Sequence, residues 1–278
     1  MVNGSRESRT PRFEPEAVRS SVIAAISLLA FAGLVVGLVI SSPNWPAVQK
    51  QFFSPKHFNA SFWDVAGGFI TNIEMFIISM LVIPVLALVV ALMRSFRGPA
   101  FLPIRVISAA YVDFFRGVPL ILLILMLGFG LPALDIPGLP RSAFFWGLTA
   151  LSLSYSAYTA EIYRSGIDAV PESQRSSARA LGLTQWQAFR YAILPQAIRN
   201  VVPALMNTVV SLQKDVALVS ILGVREAVRE AEIYAARSFN YTSYLVATLL
   251  FLLISIPLTR GVDWYVERDR RLRSQTMI

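Results

Sequence analysis

Lys214 and Asp215 stand side by side in "SLQKDVALVSILG", within a stretch from Asn200 to Val224 that holds no other charge. Charges at bilayer depth are costly and mark pathways or obligatory partners. Neighbouring residues on a helix point roughly 100° apart, so these two cannot neutralise each other side by side. Two roles stay open: lining a central cavity at a broken span, or bonding to neighbouring helices and holding a bundle together. Tyr155, Ser156 and Tyr158 place hydroxyls on another apolar run. They face either a pathway or another helix, and with Lys214 and Asp215 they make up the candidate substrate pathway. Glu161 and Arg164, at i,i+3 spacing, read as a structural ion pair. Asp113 and Arg116 read as fixing a span near an interface, and the isolated Glu74 as snorkelling outward. Catalytic chemistry has little to stand on. The chain has no cysteine and one histidine, His57, so no metal site is expected. No Gly-x-x-x-x-Gly-Lys-Ser/Thr loop is present, so any ATP must bind another chain.

The elements that must hold these residues are long and apolar. Hydrophobic residues make up 55% of the 278, and charged ones 15%, against roughly 25% in a soluble domain. Val22–Ile40, Met75–Met93, Gly117–Leu134, Ser142–Ala160 and Tyr241–Thr259 carry no charge. Each matches the length of helix that crosses a ~30 Å hydrocarbon core. With Asn200–Val224 they predict about six transmembrane helices, at 22–41, 69–93, 104–131, 142–165, 198–222 and 241–260. The fold class is an all-α polytopic membrane bundle. Residues 1–19 form a polar tail, 20–68 the first helix and an external loop, and 266–278 a basic tail.

The net charge of +8 reports orientation rather than nucleic-acid binding. If the spans alternate from a cytoplasmic amino terminus, the inside segments hold Arg6, Arg9, Arg12, Arg19, Arg94, Arg97, Arg105, Arg164, Arg175, Arg179, Arg190, Arg199 and the arginines from Arg260 onward. The outside segments hold Lys50, Lys56, Arg141, Arg225, Arg229 and Arg237. This asymmetry predicts that both termini are cytoplasmic. At 19 residues, Val22–Ile40 exceeds the roughly 7–15 of a signal-peptide core, so the first helix is expected to stay. The external "REAVREAEIYAARSFN" reads as a short amphipathic surface helix with a solvated charged face.

One cytoplasmic stretch reads like soluble protein. "VPESQRSSARALGLTQWQAF" predicts two helices: Pro171 in the first turn of one, Gly182 in a left-handed stop, and Thr184 capping the next. Pro195 then breaks the chain as it re-enters the membrane. A DNA-binding helix–turn–helix lacks the third helix needed for a core. Ser176, Ser177, Ala178 and Ala180 make the first helix small-sided, which suits entry into a cleft on a partner.

Here the sequence resembles the membrane permeases of ABC importers for polar amino acids. The family loop reads Glu-Ala-Ala, three residues, Gly, then Ile-x-Leu-Pro; this chain has "SSARALG", with Gly182, and then "AILPQA". "YVDFFRGVPLIL", "SYSAYTAEIYRSGIDAVPESQ" and "SLQKDVALVSILG" follow the family in order, and the resemblance covers about residues 69–265. It implies one amino-terminal helix plus a five-helix core in the bacterial inner membrane, with a coupling loop at about 170–195. It also implies a second permease subunit (identical or homologous), a pair of ABC ATPase subunits that hold ATP and Mg, an external solute-binding protein, and an amino acid substrate. Arg175, Ser176, Ser177, Ala178, Arg179 and Gly182 would form the ATPase contact. Ser176 replaces the family's glutamate and Ser177 its first alanine. Val216 and Ala217 replace small, often hydroxyl residues. The alternative is an ion-coupled carrier or channel acting without an ATPase, through Glu74 or Asp215.

Overall fold

The computed structural model describes residues 15–96 and 98–275, and all regular elements among them are helical. Residues 1–14, Arg97 and residues 276–278 lie outside the described residues, and with them most of the expected polar amino-terminal tail and the end of the basic one. The chain divides into two compact units, one ending at Phe53 and one beginning at Ser54.

The first unit contains α1 (Pro15–Ile40) and α2 (Trp45–Phe52). Every side chain from Val22 to Ile40 is exposed. A helix apolar on all sides and uncovered suits a lipid environment. The residues expected to loop after it are largely helical: α2 occupies part of that stretch, with Pro46 in its first turn, and the next helix begins at Pro55.

The second unit is organised on α3 (Pro55–Ser95), 41 residues long. Ser54 stands at its N-cap and Pro55 at its first position, where a missing N–H costs nothing. The sequence reading starts this span at 69 and assigns the residues before it to an external loop. In the structure Ser61, Val65, Gly68, Asn72, Met75, Ser79, Ile83 and Ala87 are buried. Their three- and four-residue spacing is a helical stripe running through that supposed loop.

A short 3₁₀ turn (Pro99–Phe101) leads to α4 (Leu102–Gly117) and α5 (Leu120–Leu125). The reading expects one span at 104–131, but the two segments meet at a 106° bend. The cause is local. Pro119 cannot continue the hydrogen-bond ladder, and Val118 before it is pushed to an extended conformation, ψ 130°. A π-helical turn (Met126–Gly130) and α6 (Leu131–Ala133) complete that arm. Then come α7 (Ala143–Asp168), α8 (Glu172–Ala180), α9 (Gln185–Ala188), a π turn (Phe189–Ile193), α10 (Leu194–Asp215), a 3₁₀ helix (Val216–Leu222), α11 (Ala227–Ser238) and α12 (Thr242–Gln275).

Among the described residues, four helical stretches are long and apolar enough to cross a membrane, or five if the bent α4–α5 arm is one span. Helix α7, the fourth of the expected spans, has the length but not the hydropathy. Ser152, Ser154, Ser156 and Thr159 are buried in it against other helices, so its polar side chains face protein. The expected basic tail from 266 is a continuation of α12 as far as Gln275.

Among the described residues three apolar clusters hold the second unit, the smallest being Val170, Ile193 and Ala197 under the cytoplasmic-loop candidate. Met75, Ile83, Ile124, Leu151, Leu212, Val216 and Val219 join α3, α5, α7 and the end of α10. Val65, Phe69, Ala227, Ala231, Val246 and Ala247 join α3, α11 and α12.

Candidate functional site

The break between α4 and α5 opens a cavity of about 670 Å³ against α7 and the last turns of α10. Tyr155, Tyr158 and Asp215, three of the candidate pathway residues, line it. Tyr155 donates its hydroxyl hydrogen to Asp215 at 2.6 Å. Tyr158 lies one turn further along α7; its hydroxyl donates to the Arg116 carbonyl at 3.2 Å, and the Arg116 guanidinium sits 5.6 Å from its ring centroid. Arg116 therefore enters the cavity wall, where the sequence alone suggested a structural anchor. Asn207, Thr208 and Ser211 add amide and hydroxyl groups from α10. The sequence reading did not single them out, although their spacing before Asp215 puts them on one helix side.

Two expected pathway residues lie elsewhere. Ser156 is fully buried, with its hydroxyl 2.7 Å from that of Tyr111 on α4. One residue from Tyr155 is a turn of roughly 100°, enough to point it at a packing surface. Lys214 is exposed and lines a separate cavity of about 860 Å³, with Ser255, Arg260 and Asp263 of α12. The divergence expected for adjacent residues thus separates Lys214 from Asp215.

Glu161 and Arg164 do pair, with Arg164 Nε 3.1 Å from Oε1 and 3.2 Å from Oε2. The sequence missed a second cation. Arg94, at the end of α3, donates to Glu161 at 2.7 Å, and Arg164 also reaches Asp168 at 3.0 Å. Glu161 therefore faces two guanidiniums. Asp113 and Glu74 are exposed. His57 Nδ1 is 2.9 Å from the Tyr234 hydroxyl, and no cluster of metal-ligating side chains occurs among the described residues.

The soluble-looking stretch is a compact helical corner. Gly182 adopts φ +82°, the left-handed stop read from the sequence. Thr184 accepts from the Gln187 N–H while the Gln187 side chain accepts from the Thr184 N–H, a complete capping box. Pro171 precedes α8 as its N-cap instead of lying in its first turn. The faces are also redistributed. Ala178 is only 5% exposed, turned inward. Arg175 donates to the Ile167 carbonyl at 2.6 Å, and Arg179 is 3.2 Å from Glu172. Ser176, Ser177 and Gly182 are exposed, and Leu181, which the sequence reading passed over, is 82% exposed at the tip.

Helix α11 is amphipathic as expected, with Glu232, Ala236 and Arg237 exposed, but its other face is packed more deeply than the sequence reading implied. Ala227 and Ala231 are fully buried, because a small-residue face lets α11 sit close to α3 and α12. The approach is closest at Gly68, where a Cβ would stand 2.6 Å from the Glu226 carbonyl carbon. Glu226 is itself fully buried. It caps α11 by accepting from the Arg229 N–H at 2.7 Å and the Val228 N–H at 3.0 Å, and Asn72 Nδ2 donates to it at 2.9 Å. Burial pushes its carboxyl above the ordinary carboxylate range, against these bonds, which favour the charged form. Glu226→Ala is expected to destabilise the protein by about 2–4 kcal/mol, since it strands Asn72 and two N–H groups. Thermal unfolding of the purified protein measures this, and a loss below about 0.5 kcal/mol would show the cap to be dispensable.

Comparison with known proteins adds to this geometry. Residues 100–271 match the family described as "Binding-protein-dependent transport system inner membrane component"; the match begins later, and ends slightly later, than the resemblance read from the motifs. The arginine transport system permease protein ArtQ of Bacillus subtilis is 32% identical over 201 residues, covering 72% of this chain and 90% of its own. The probable glutamine ABC transporter permease protein GlnM of the same organism is 34% identical over 185 residues, covering 66% and 83%. Among solved structures, an amino acid ABC transporter with histidines superposes with a TM-score of 0.68 at 30% identity, covering 74% of this chain and 94% of that one. An inward-facing MetNI methionine ABC transporter, at 19% identity and a TM-score of 0.60, shares the fold.

Proposed function

Because this chain belongs to the binding-protein-dependent transport inner membrane components, and among them to the polar amino acid ABC permeases, we propose that it carries an amino acid into the cytoplasm through the cavity at Asp215. A pair of ATPase subunits docks on the corner around Leu181 and Gly182 and supplies ATP and Mg. A second permease subunit completes the membrane domain, and an external binding protein delivers the substrate. The chain itself makes and breaks no covalent bond. The observation that carries the reading is a carboxylate at the end of an apolar helix, oriented by the Tyr155 hydroxyl and facing a cavity that also holds Arg116, Asn207, Thr208 and Ser211.

The chemistry follows from what an amino acid always brings. Its ammonium is attracted to the Asp215 carboxylate, and Tyr155 fixes the rotamer that presents the free oxygen. ATP binding and release shift the population between outward- and inward-open forms, because the ATPases bind the two differently. Reconstitution tests this: uptake of a labelled amino acid should require the ATPases, ATP and the binding protein. Uptake by the permease alone, driven by an ion gradient, would make it a secondary carrier.

The arginine asymmetry supports cytoplasmic termini and a cytoplasmic 166–195 segment. The lack of native cysteine makes the test clean. An impermeant maleimide added to intact cells should label Lys56→Cys and leave Ser176→Cys unlabelled. Both side chains are exposed in the structure, so labelling reports the side of the membrane. The reverse pattern would invert the orientation.

A further inference from the structure

We infer that the Asp215 cavity is built for an amino acid with an uncharged polar side chain, held at its α-carboxylate by Arg116; this rests on the reading of the cavity as the substrate path. The argument is a charge balance. Three ionic side chains line the cavity: Arg116, Glu161 and Asp215. Arg116 is held by Tyr158 and Asp215 by Tyr155. These tyrosines lie three residues apart on α7, a rise of about 4.5 Å. The wall thus offers an anchored cation and an anchored anion on successive turns, a dipolar pair suited to the two charges of a zwitterion.

Glu161 would be the natural partner of a cationic substrate side chain. Its charge is already committed, since it accepts from Arg94 at 2.7 Å and from the Arg164 Nε and Nη2. Arg94 and Arg164 together balance Glu161 and Asp168, which leaves no negative charge over for a lysine- or arginine-like substrate. An acidic side chain would also lack a partner once Arg116 holds the α-carboxylate, and an unpaired charge in a confined site is strongly disfavoured. What the wall offers a polar side chain is the amide of Asn207 and hydroxyls such as those of Thr208 and Ser211, groups that hydrogen-bond without charge.

The test uses the full-length permease in complex with its ATPases and without the binding protein, so that selectivity belongs to the membrane chain. Equilibrium binding is measured with radiolabelled glutamine, asparagine, serine, arginine, lysine and glutamate. The best neutral polar amino acid should bind at least about tenfold more tightly than any charged one, the equivalent of one charge-assisted hydrogen bond. Arg116→Gln should cut that binding at least about tenfold while the same compound lacking its carboxylate binds equally to both proteins. Asn207→Asp, nearly isosteric, should bring arginine or lysine level with the neutral substrate. Should that variant not assemble, Arg94→Gln, which releases part of Glu161, should raise arginine binding in the same direction. Preference for a charged amino acid by the unaltered protein, or no gain of cationic binding in either variant, overturns the inference and leaves the pathway reading standing. If no amino acid binds, the pathway reading itself falls.

Discussion

Asp215→Asn is expected to lower amino acid uptake and substrate-stimulated ATP hydrolysis at least about tenfold. The asparagine oxygen still accepts the Tyr155 hydroxyl bond seen at 2.6 Å, so packing changes little. On the proposed reading, what is lost is the charge that meets the ammonium of the substrate. A hydrogen bond to a charged group is worth ~1.5–3 kcal/mol, which is a factor of about ten or more. Uptake in proteoliposomes measures the effect, and gel filtration checks that the complex assembles. Unchanged uptake together with a lower melting temperature would assign Asp215 to bundle stability alone.

Leu181→Asp is expected to abolish coupling. Leu181 is 82% exposed beside the left-handed Gly182, an apolar side chain at a polar corner. Burying a leucine in a partner groove contributes about 1.5–3 kcal/mol, and a carboxylate in its place adds a desolvation cost. Association with the ATPase should therefore weaken by at least about tenfold, and uptake should fail while the permease still folds. Co-purification of the ATPase with the variant measures this. Wild-type recovery of the ATPase would remove Leu181 from the docking surface. Ala178, which the sequence marks for the same surface, is a poor probe. It is buried within the corner, so a large substitution there disrupts α8 before it reaches any partner.

The contrast between these two residues shows how far the sequence was legible. Local chemistry was readable: Gly182 stops a helix, Thr184 caps one, and Pro119 breaks the third span, although only the first two were anticipated. The divergence of Lys214 and Asp215 also followed from helix geometry. Facing was not readable where it depends on distant partners. Tyr155 and Ser156 look equally suited to a pathway, and only the position of Tyr111 on α4 takes Ser156 out of it. Arg94 is 67 residues from Glu161, and Asn72 is 154 from Glu226. No local periodicity connects such pairs. Glu226 and Glu230 looked as solvated as the exposed Glu232, because charged residues usually are, and the alanines between them gave the only hint of close packing.

The seven-residue 3₁₀ helix after Asp215 sets a limit on how that carboxylate can move. Runs longer than three or four residues are uncommon, because the hydrogen bonds are poorer than in an α-helix. Here a methyl group at Gly128 would overlap Leu222, and one at Gly147 would lie 2.8 Å from Val219 Cγ1. These two bare positions on neighbouring elements accept the side chains of the tight coil. Rewinding Val216–Leu222 as an α-helix would shorten it by about 3.5 Å and turn its far end by roughly 140° relative to Asp215. Leu222 and Val219 would have to leave their seats together. Length and rotation at the end of α10 are thus geared to each other, and the glycine seats act as a detent that lets the gear rest in one position.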